Sequence, residues 1–186
     1  CSSPIVTRTI KKISVAVIVV LTIPTTIGTL RHYLPGRPPA MISKSELEAL
    51  DFLSKQPDGV VLTYPFDREA ARLAEANPPR PLYLYESTAY VAAFSGKPVY
   101  LEDEVNLDIT GYDWRARRKK VEVFFNILDE KQARQFLTEN NIKYLYLVLS
   151  QSPISGQQAR LGETQLGINQ IFDNDQVKIY KVEYLK

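Results

Sequence analysis

The acidic stretch "LEDEVNLDITGYDW", residues 101–114, holds the side chains best suited to acid–base chemistry. Three of its carboxylates follow directly on "PVYL", a short apolar run that is typical of a strand. Open α/β sheets bind their ligands beyond the carboxyl ends of strands, and two carboxylates held there can act as general acid and general base. One interpretation is therefore a ligand-facing loop made of Glu102, Asp103, Glu104 and Asp108, together with Asp67, which follows an earlier strand.

A calcium loop is a second interpretation of this stretch, because Glu104, Asn106 and Asp108 have its alternate spacing. The pattern fails at the sixth position, where Ile109 stands instead of glycine, and at the twelfth, where Arg115 stands instead of glutamate. We therefore predict no metal site here. A solvated loop is the interpretation favoured by the general rule that charged side chains are mostly exposed.

The next stretch, "WRARRKK", is strongly basic and is predicted to lie on a helix from Asp113 to Asn126. Arginine forks match the geometry of phosphate, so this helix could bind a lipid head group or the phosphate of a lipid-linked substrate. The alternative is a solvated helix face whose long side chains shield apolar surface. The candidate phosphate-binding residues are Arg115, Arg117, Arg118 and Lys119.

The sequence lacks the residues that several other common catalytic and binding sites require. His32 is the only histidine and Cys1 the only cysteine, which excludes a Ser-His-Asp or Cys-His set, a multi-histidine zinc site and an internal disulfide. The "SGK" at 95–97 lacks the rest of a phosphate-binding loop and is typical of a helix cap. With 23 basic and 21 acidic residues, the chain has no general attraction for nucleic acid. We predict no cofactor, no metal and no nucleic-acid partner.

The N-terminal part of the chain is apolar over the length of a membrane span. No charged residue occurs between Ile13 and Leu30, and such a run covers most of the roughly 30 Å of a bilayer's hydrocarbon core. The region after the run lacks the small residues of a signal-peptide cleavage site. We predict a transmembrane helix at 13–33, preceded by a cytoplasmic or loop flank at 1–12, with the remainder outside the cytoplasm.

The second half of this span is partly polar. Pro24 removes one backbone hydrogen bond, and threonines surround it. Neighbouring helices can satisfy such a defect, so we predict contacts with upstream transmembrane helices of the same protein. Cys1, in place of an initiator methionine, indicates a piece of a longer protein; a lipid-bearing terminal cysteine is the alternative, although it would anchor the chain twice.

A proline-rich linker at 34–43 leads into a domain at 44–186. Ser43 and Glu46 have the spacing of a capping box, and Gly96 is placed as a helix C-cap. Further helices are predicted at 67–76, 113–126 and 129–140, and strands at 60–64, 98–101 and 142–149, with a hairpin around Asp173-Asn174-Asp175. The fold class is therefore α/β: one N-terminal transmembrane helix followed by a small three-layer α/β domain with a mostly parallel sheet and a C-terminal β-hairpin.

The order of segments resembles the C-terminal extracytoplasmic domain, with the last transmembrane helix, of polytopic membrane glycosyltransferases of the GT-C class. The segments that carry the resemblance are "ELEALDFLSKQPDGVVLTYP", "STAYVAAFSGKPVYLEDE", "GYDWRARRKKVEVFF", "FLTENNIKYLYLV" and "IFDNDQVKIYKV". None of them is a catalytic motif.

The resemblance implies a parent protein that transfers a sugar from a polyprenyl-phosphate donor, with its catalytic acid upstream of this chain. The fragment itself is then non-catalytic and accessory to substrate access, with membrane lipid and a polyprenyl-phosphate sugar as partners. It also implies a location in the cell membrane of a bacterium, with the domain on the extracytoplasmic side. The alternative is a single-span protein whose tethered domain binds or scaffolds partners without enzymatic activity.

Overall fold

The computed structural model describes residues 4–34, 39–126, 129–151 and 167–183. Residues 1–3 of the predicted flank, 35–38 of the predicted linker and the last three residues of the predicted domain lie outside this range. The chain divides into two compact units, Cys1–Pro39 and Ala40–Lys186.

The first unit contains one long helix, α1 (Pro4–Tyr33), which begins within the predicted flank. Its segment Ile10–Tyr33 is long and apolar enough to cross a membrane, so α1 could anchor the protein there. In the polar half of α1, threonine hydroxyls donate to backbone carbonyls of the same helix. Thr25 Oγ1 donates to the Leu21 carbonyl at 2.6 Å, and Thr29 Oγ1 donates to the Thr25 carbonyl at 2.9 Å. The predicted contact with further membrane helices stays a prediction, since these threonines need no neighbour.

The second unit alternates helices with short strands. Its strands are β1 (Ala40–Met41), β2 (Val60–Thr63), β3 (Arg80–Pro81), β4 (Ile142–Val148), β5 (Ile168–Asp173) and β6 (Val177–Val182). Its helices are α2 (Lys44–Ser54), α3 (Arg68–Glu75), α4 (Tyr90–Ser95), α5 (Glu104–Ile109), α6 (Trp114–Asn126) and α7 (Glu130–Glu139), with 3-10 turns at Leu82–Leu84 and Leu149–Gln151.

Four strands form the main sheet, in the order β2-β4-β6-β5. β2 and β4 are parallel, whereas β6 is antiparallel to both β4 and β5. The predicted α/β class, apolar N-terminal helix and C-terminal hairpin are confirmed. Two of the three strand pairings in this sheet are antiparallel. The predicted strand at 98–101 adds only a parallel bridge from Val99 to Val61, beside β2.

The predicted three layers arise because β4 is apolar on both faces. Leu145 and Leu147 pack in one core cluster with buried side chains of α6 and α7, such as Phe124 and Leu137. Tyr144, Tyr146 and Val148 pack in a second cluster, whose members from α2 and α4 are Ala49, Leu50, Leu53, Tyr90 and Val91. The sheet is therefore covered by helices on both sides, as its apolar composition requires.

Two predicted helix ends are confirmed. Ser43 caps α2 in a capping box: its side chain accepts from the Glu46 N–H at 3.0 Å while the Glu46 carboxylate accepts from Ser43. Gly96 follows α4 with φ of +68°, a left-handed conformation that glycine adopts without a steric penalty.

The predicted solvated loop at 102–108 is wrong in part. Residues Glu104–Ile109 form the short helix α5, and the Glu104 side chain is buried. The stretch is too short and too acidic to show a helical pattern of apolar residues, so its structure depends on contacts with distant parts of the chain.

Candidate functional site

A narrow cleft lies at the carboxyl ends of β2 and β4, where an α/β sheet is expected to bind ligands. Its volume of about 40 Å³ accommodates a few water molecules. It is lined by tyrosines and acidic residues, among them Tyr64, Tyr83, Tyr85, Glu86, Glu102 and Glu104. The cleft is too small to enclose a sugar ring.

The Glu102 carboxylate caps a helix to which it does not belong. It accepts hydrogen bonds from the backbone N–H groups of Val91 at 2.8 Å and Ala92 at 3.1 Å, in the first turn of α4. Ala89, the N-cap residue of α4, has no side chain that could do this. Burial raises the pKa of Glu102 to about 7, although the two backbone hydrogen bonds oppose the shift.

Glu104 and Arg118 form an ion pair inside the domain. Arg118 Nη1 lies 2.6 Å and 2.8 Å from the two carboxylate oxygens, and the Glu104 side chain is only 3% exposed. Arg118 also donates to the Phe66 carbonyl at 2.8 Å and to Glu122 at 2.8 Å. Burial raises the pKa of Glu104, while the Arg118 charge works in the opposite direction. This pair ties α5 and α6 to the loop after β2.

The three aspartates of the predicted ligand-facing set also have structural partners. Asp67 caps α3 by accepting from Glu69 and Ala70, both at 3.0 Å. Asp103 caps α5 with φ of +58°, a left-handed conformation that aspartate tolerates better than most residues.

Asp108 joins α5 to the start of α6. It accepts from Trp114 Nε1 at 3.2 Å, and its Oδ1 lies 2.7 Å from Arg115 Nη1. The hydrogen bond from Arg115 lowers the pKa of Asp108, with further contributions from Trp114 and the Arg115 charge.

Three polar side chains beneath the sheet were missed by the sequence analysis. Glu46, Tyr90 and Tyr146 are buried, and the Tyr90 hydroxyl donates to the Glu46 carboxylate at 3.4 Å. Burial is the main cause of the raised pKa of all three. The capping box indicated the position of Glu46 but not its burial, because the box describes only local contacts.

The four predicted phosphate-binding residues do not form one cluster. Arg118 is held inside the domain by carboxylates, whereas Arg115 and Lys119 are exposed on the outer face of α6. The guanidinium of Arg117 lies between two tyrosine rings, 5.1 Å from the centroid of Tyr100 and 4.9 Å from that of Tyr112. A phosphate grip composed of all four is not assembled in this fold.

Two larger cavities lie elsewhere on the domain. One of about 340 Å³ is bounded by α4, α5, α6 and the segment 99–103, and its polar lining comprises Tyr100, Glu102, Asp103, Asn106, Thr110, Tyr112 and Arg117. The other, of about 320 Å³, lies beside Phe66, Arg68 and Arg118. Both are of the size that small-molecule sites have. Among residues 4–34, 39–126, 129–151 and 167–183, no group of three or more His, Cys, Asp or Glu side chains could hold a metal ion.

No protein-family model and no curated protein sequence matches the chain. Among solved structures, the chain is similar to the C-terminal globular domain of an oligosaccharyltransferase from Archaeoglobus fulgidus, with a TM-score of 0.44 and 13% sequence identity. The similarity covers 77% of this chain and 99% of that domain. At this level it identifies neither a function nor a ligand.

The arrangement of the site favours binding over proton transfer. The buried carboxylates Glu46 and Glu104 and the partly buried Glu102 each stabilise a helix end or an ion pair of the domain itself. The cavity of about 340 Å³, in contrast, combines a fixed guanidinium, an amide, a hydroxyl and an exposed aromatic ring. We call it the α5 cavity below.

Proposed function

We propose that this chain is the membrane-anchored, non-catalytic domain of a GT-C-class glycosyltransferase that uses a polyprenyl-phosphate sugar. In this proposal α1 anchors the domain on the extracytoplasmic side, and the domain binds a sugar-bearing substrate and controls its access to the catalytic part.

The observation that carries the proposal is the chemistry of the α5 cavity. Arg117 Nη1 donates to the Tyr100 carbonyl at 3.0 Å, so the guanidinium is held in place while other N–H groups are left to donate. Asn106 Nδ2 donates to Asp103 Oδ2 at 2.7 Å, which fixes two planar polar groups beside each other. Vicinal hydroxyls of a sugar need such paired donors and acceptors, and the C–H face of a sugar ring packs on an aromatic ring such as Tyr112.

The apolar part of the cavity and its balance of charges support the same ligand class. Ala89, Ala92 and Val99 line its walls, and the charged groups of the lining have both signs. A strongly anionic ligand would meet Glu102 and Asp103, whereas a purely apolar one would leave polar groups unpaired. A neutral polyhydroxylated ring avoids both costs.

The way in which the domain uses its acidic residues supports a non-catalytic role. Glu102 is committed to the N-terminus of α4, and Glu104 to Arg118. Removing either carboxylate from its partner would leave buried groups unsatisfied, which costs about 1–3 kcal/mol for a donor and more for a charge. The order of the segments, which resembles the GT-C class, supports a parent enzyme whose catalytic acid lies elsewhere.

We expect the full chain, reconstituted through α1 in nanodiscs, to bind methyl hexopyranosides with a dissociation constant of about 1 mM, as a small polar ligand in an open site. Isothermal titration and ligand-observed NMR would measure this binding. Tyr112→Ala and Asn106→Ala should each weaken it about tenfold, because each removes about one ring contact or hydrogen bond.

The matched control is Asn169→Ala, which changes an exposed asparagine of β5 outside the cavity. It should bind the glycosides as the wild type does. Equal affinity of the Asn106 and Asn169 variants would contradict sugar binding in the α5 cavity.

The parent enzyme is tested by reading the coding DNA immediately upstream of Cys1. We expect several further hydrophobic spans, with an acidic residue in the first loop outside the membrane. A start codon or lipoprotein leader directly before Cys1 would instead favour the single-span binding or scaffolding protein, and the glycosyltransferase proposal would be withdrawn.

A further inference from the structure

The region from α5 to the start of α6 exposes apolar side chains in an unusual concentration. Val105 and Ile109 lie one helical turn apart on α5, and Tyr112 follows in the connecting loop. Ile109 is 76% exposed, the highest value among the large apolar side chains described in the second unit. We call these three residues the apolar ridge.

The other large exposed apolar residues described in this unit belong to separate elements. Each of five elements carries one: Met41 in β1, Leu47 in α2, Leu73 in α3, Phe94 in α4 and Val123 in α6. Single exposed apolar residues are normal on a soluble surface and need no explanation, whereas a group of them indicates a contact surface. The apolar ridge is such a group.

The apolar ridge is held rigidly rather than formed by loose side chains. Asp108 accepts from Trp114 Nε1 at 3.2 Å, and this hydrogen bond joins the end of α5 to the start of α6. The Tyr112 ring is in contact with the Arg117 guanidinium, 4.9 Å from its centroid. A preorganised surface loses little conformational entropy when it docks.

Cations border the apolar ridge on the α6 side. Arg115 and Lys119, one helical turn apart, are exposed, and Lys120 is exposed beside them. The Arg115–Asp108 pair is itself open to solvent, with the two side chains 66% and 53% exposed, so Arg115 can exchange this partner for another anion at little cost. The apolar ridge, with its tyrosine, is suited to the boundary between head groups and acyl chains, and the flanking cations are suited to the phosphates of an anionic bilayer.

We infer that the apolar ridge docks on the surface of an anionic bilayer, with Arg115 and Lys119 on lipid phosphates. The inference rests on the proposed function, which it deepens by naming the surface of the domain that faces the membrane. The bilayer is the occupant we assign because α1, in the same chain, is long and apolar enough to be inserted in one. Docking of the apolar ridge brings the α5 cavity, which shares Tyr112, next to the head groups.

The single tryptophan of the chain is a built-in probe of this contact. Trp114 is buried at the start of α6, directly after the apolar ridge, and no tryptophan lies in α1. We would reconstitute the full chain in nanodiscs of phosphatidylcholine and phosphatidylglycerol, with or without bromine near the top of the acyl chains. Because an interfacial surface sits about 5–10 Å into the head group and acyl boundary, brominated lipid should quench Trp114 fluorescence about twofold.

Two variants of the docking surface should weaken the quenching of Trp114. Ile109→Glu places a charge where the acyl chains would be, and it should restore the unquenched fluorescence. The double variant Arg115→Gln, Lys119→Gln should reduce quenching in the anionic discs, as should high salt, because the attraction to lipid phosphate is electrostatic.

The matched control is Leu73→Glu, which changes an exposed leucine of α3. It should leave the quenching at the wild-type level. The inference is overturned if Trp114 is unquenched in discs that contain the chain, or if Ile109→Glu and Leu73→Glu give the same quenching. A chain that does not enter the discs at all would instead contradict the membrane anchor of the proposed function, and the docking inference with it.

Discussion

Replacing Arg118 by leucine should lower the free energy of unfolding by about 3–5 kcal/mol, because the Glu104 charge would be left buried without its partner. The same substitution removes the hydrogen bond to the Phe66 carbonyl. Thermal unfolding followed by near-UV circular dichroism should show the melting temperature falling by roughly 10 °C.

A matched control comes from the same helix. The Arg115–Asp108 pair has similar geometry, at 2.7 Å, but both of its side chains are exposed. Arg115→Leu should therefore cost about 1 kcal/mol or less. Similar losses in the two variants would show that Arg118 does not hold the domain together in the way its contacts indicate.

Two further observations separate the loss of the charge pair from a simple packing defect. The double variant Arg118→Leu, Glu104→Leu should recover part of the stability, since no unpaired charge is then buried. In Arg118→Leu alone, the pKa of Glu104 is raised further, so the defect should be smaller at pH 5, where the carboxyl can take up a proton, than at pH 8.

The second large effect is a dependence of stability on pH that originates at Glu102. Burial raises the pKa of this carboxyl in the folded domain to about 7, from an ordinary value of 4.5. Between these values the folded domain binds a proton that the unfolded chain does not, so stability present below pH 4.5 is lost as the pH rises through 7. This shift of the Glu102 pKa from 4.5 to about 7 corresponds to roughly 3 kcal/mol in the free energy of unfolding.

Glu102→Gln removes this titration while its amide oxygen can still accept a hydrogen bond from the first turn of α4. Melting temperatures measured from pH 5 to pH 8 should therefore fall less steeply in the variant than in the wild type. Part of the slope should remain, because burial also raises the pKa of Glu46 and Glu104. Glu48→Gln, on the exposed face of α2, should keep the wild-type slope, and an equal slope in Glu102→Gln would contradict the assignment.

Local signals in the sequence predicted several helix ends correctly. The capping box of Ser43 and Glu46 and the position of Gly96 after α4 are found as expected. The helix predicted at 129–140 is α7, with Asp129 as its N-cap. Each of these contacts spans only a few residues, so the residue types alone determine it. The apolar run at 142–149 likewise predicted the strand β4.

The acidic site was predicted less well because its contacts are between distant residues. Glu102 is bonded to Val91 and Ala92, and Glu104 to Arg118, partners that no local pattern connects to them. General burial statistics assigned these carboxylates to solvent, whereas the fold buries them by supplying helix N–H groups and a guanidinium.

The position of β4 in the sheet has a consequence for the order in which the protein is made. β2 is synthesised early, but both its parallel neighbour β4 and the adjoining strand β6 come after all the helices from α3 to α7. Until β4 and β6 have been synthesised, the helices cannot pack on a complete sheet, and their apolar faces are exposed to water. Long-range pairing of this kind is slow to form and prone to aggregation, so the nascent chain would depend on chaperone protection until its last strands have been synthesised.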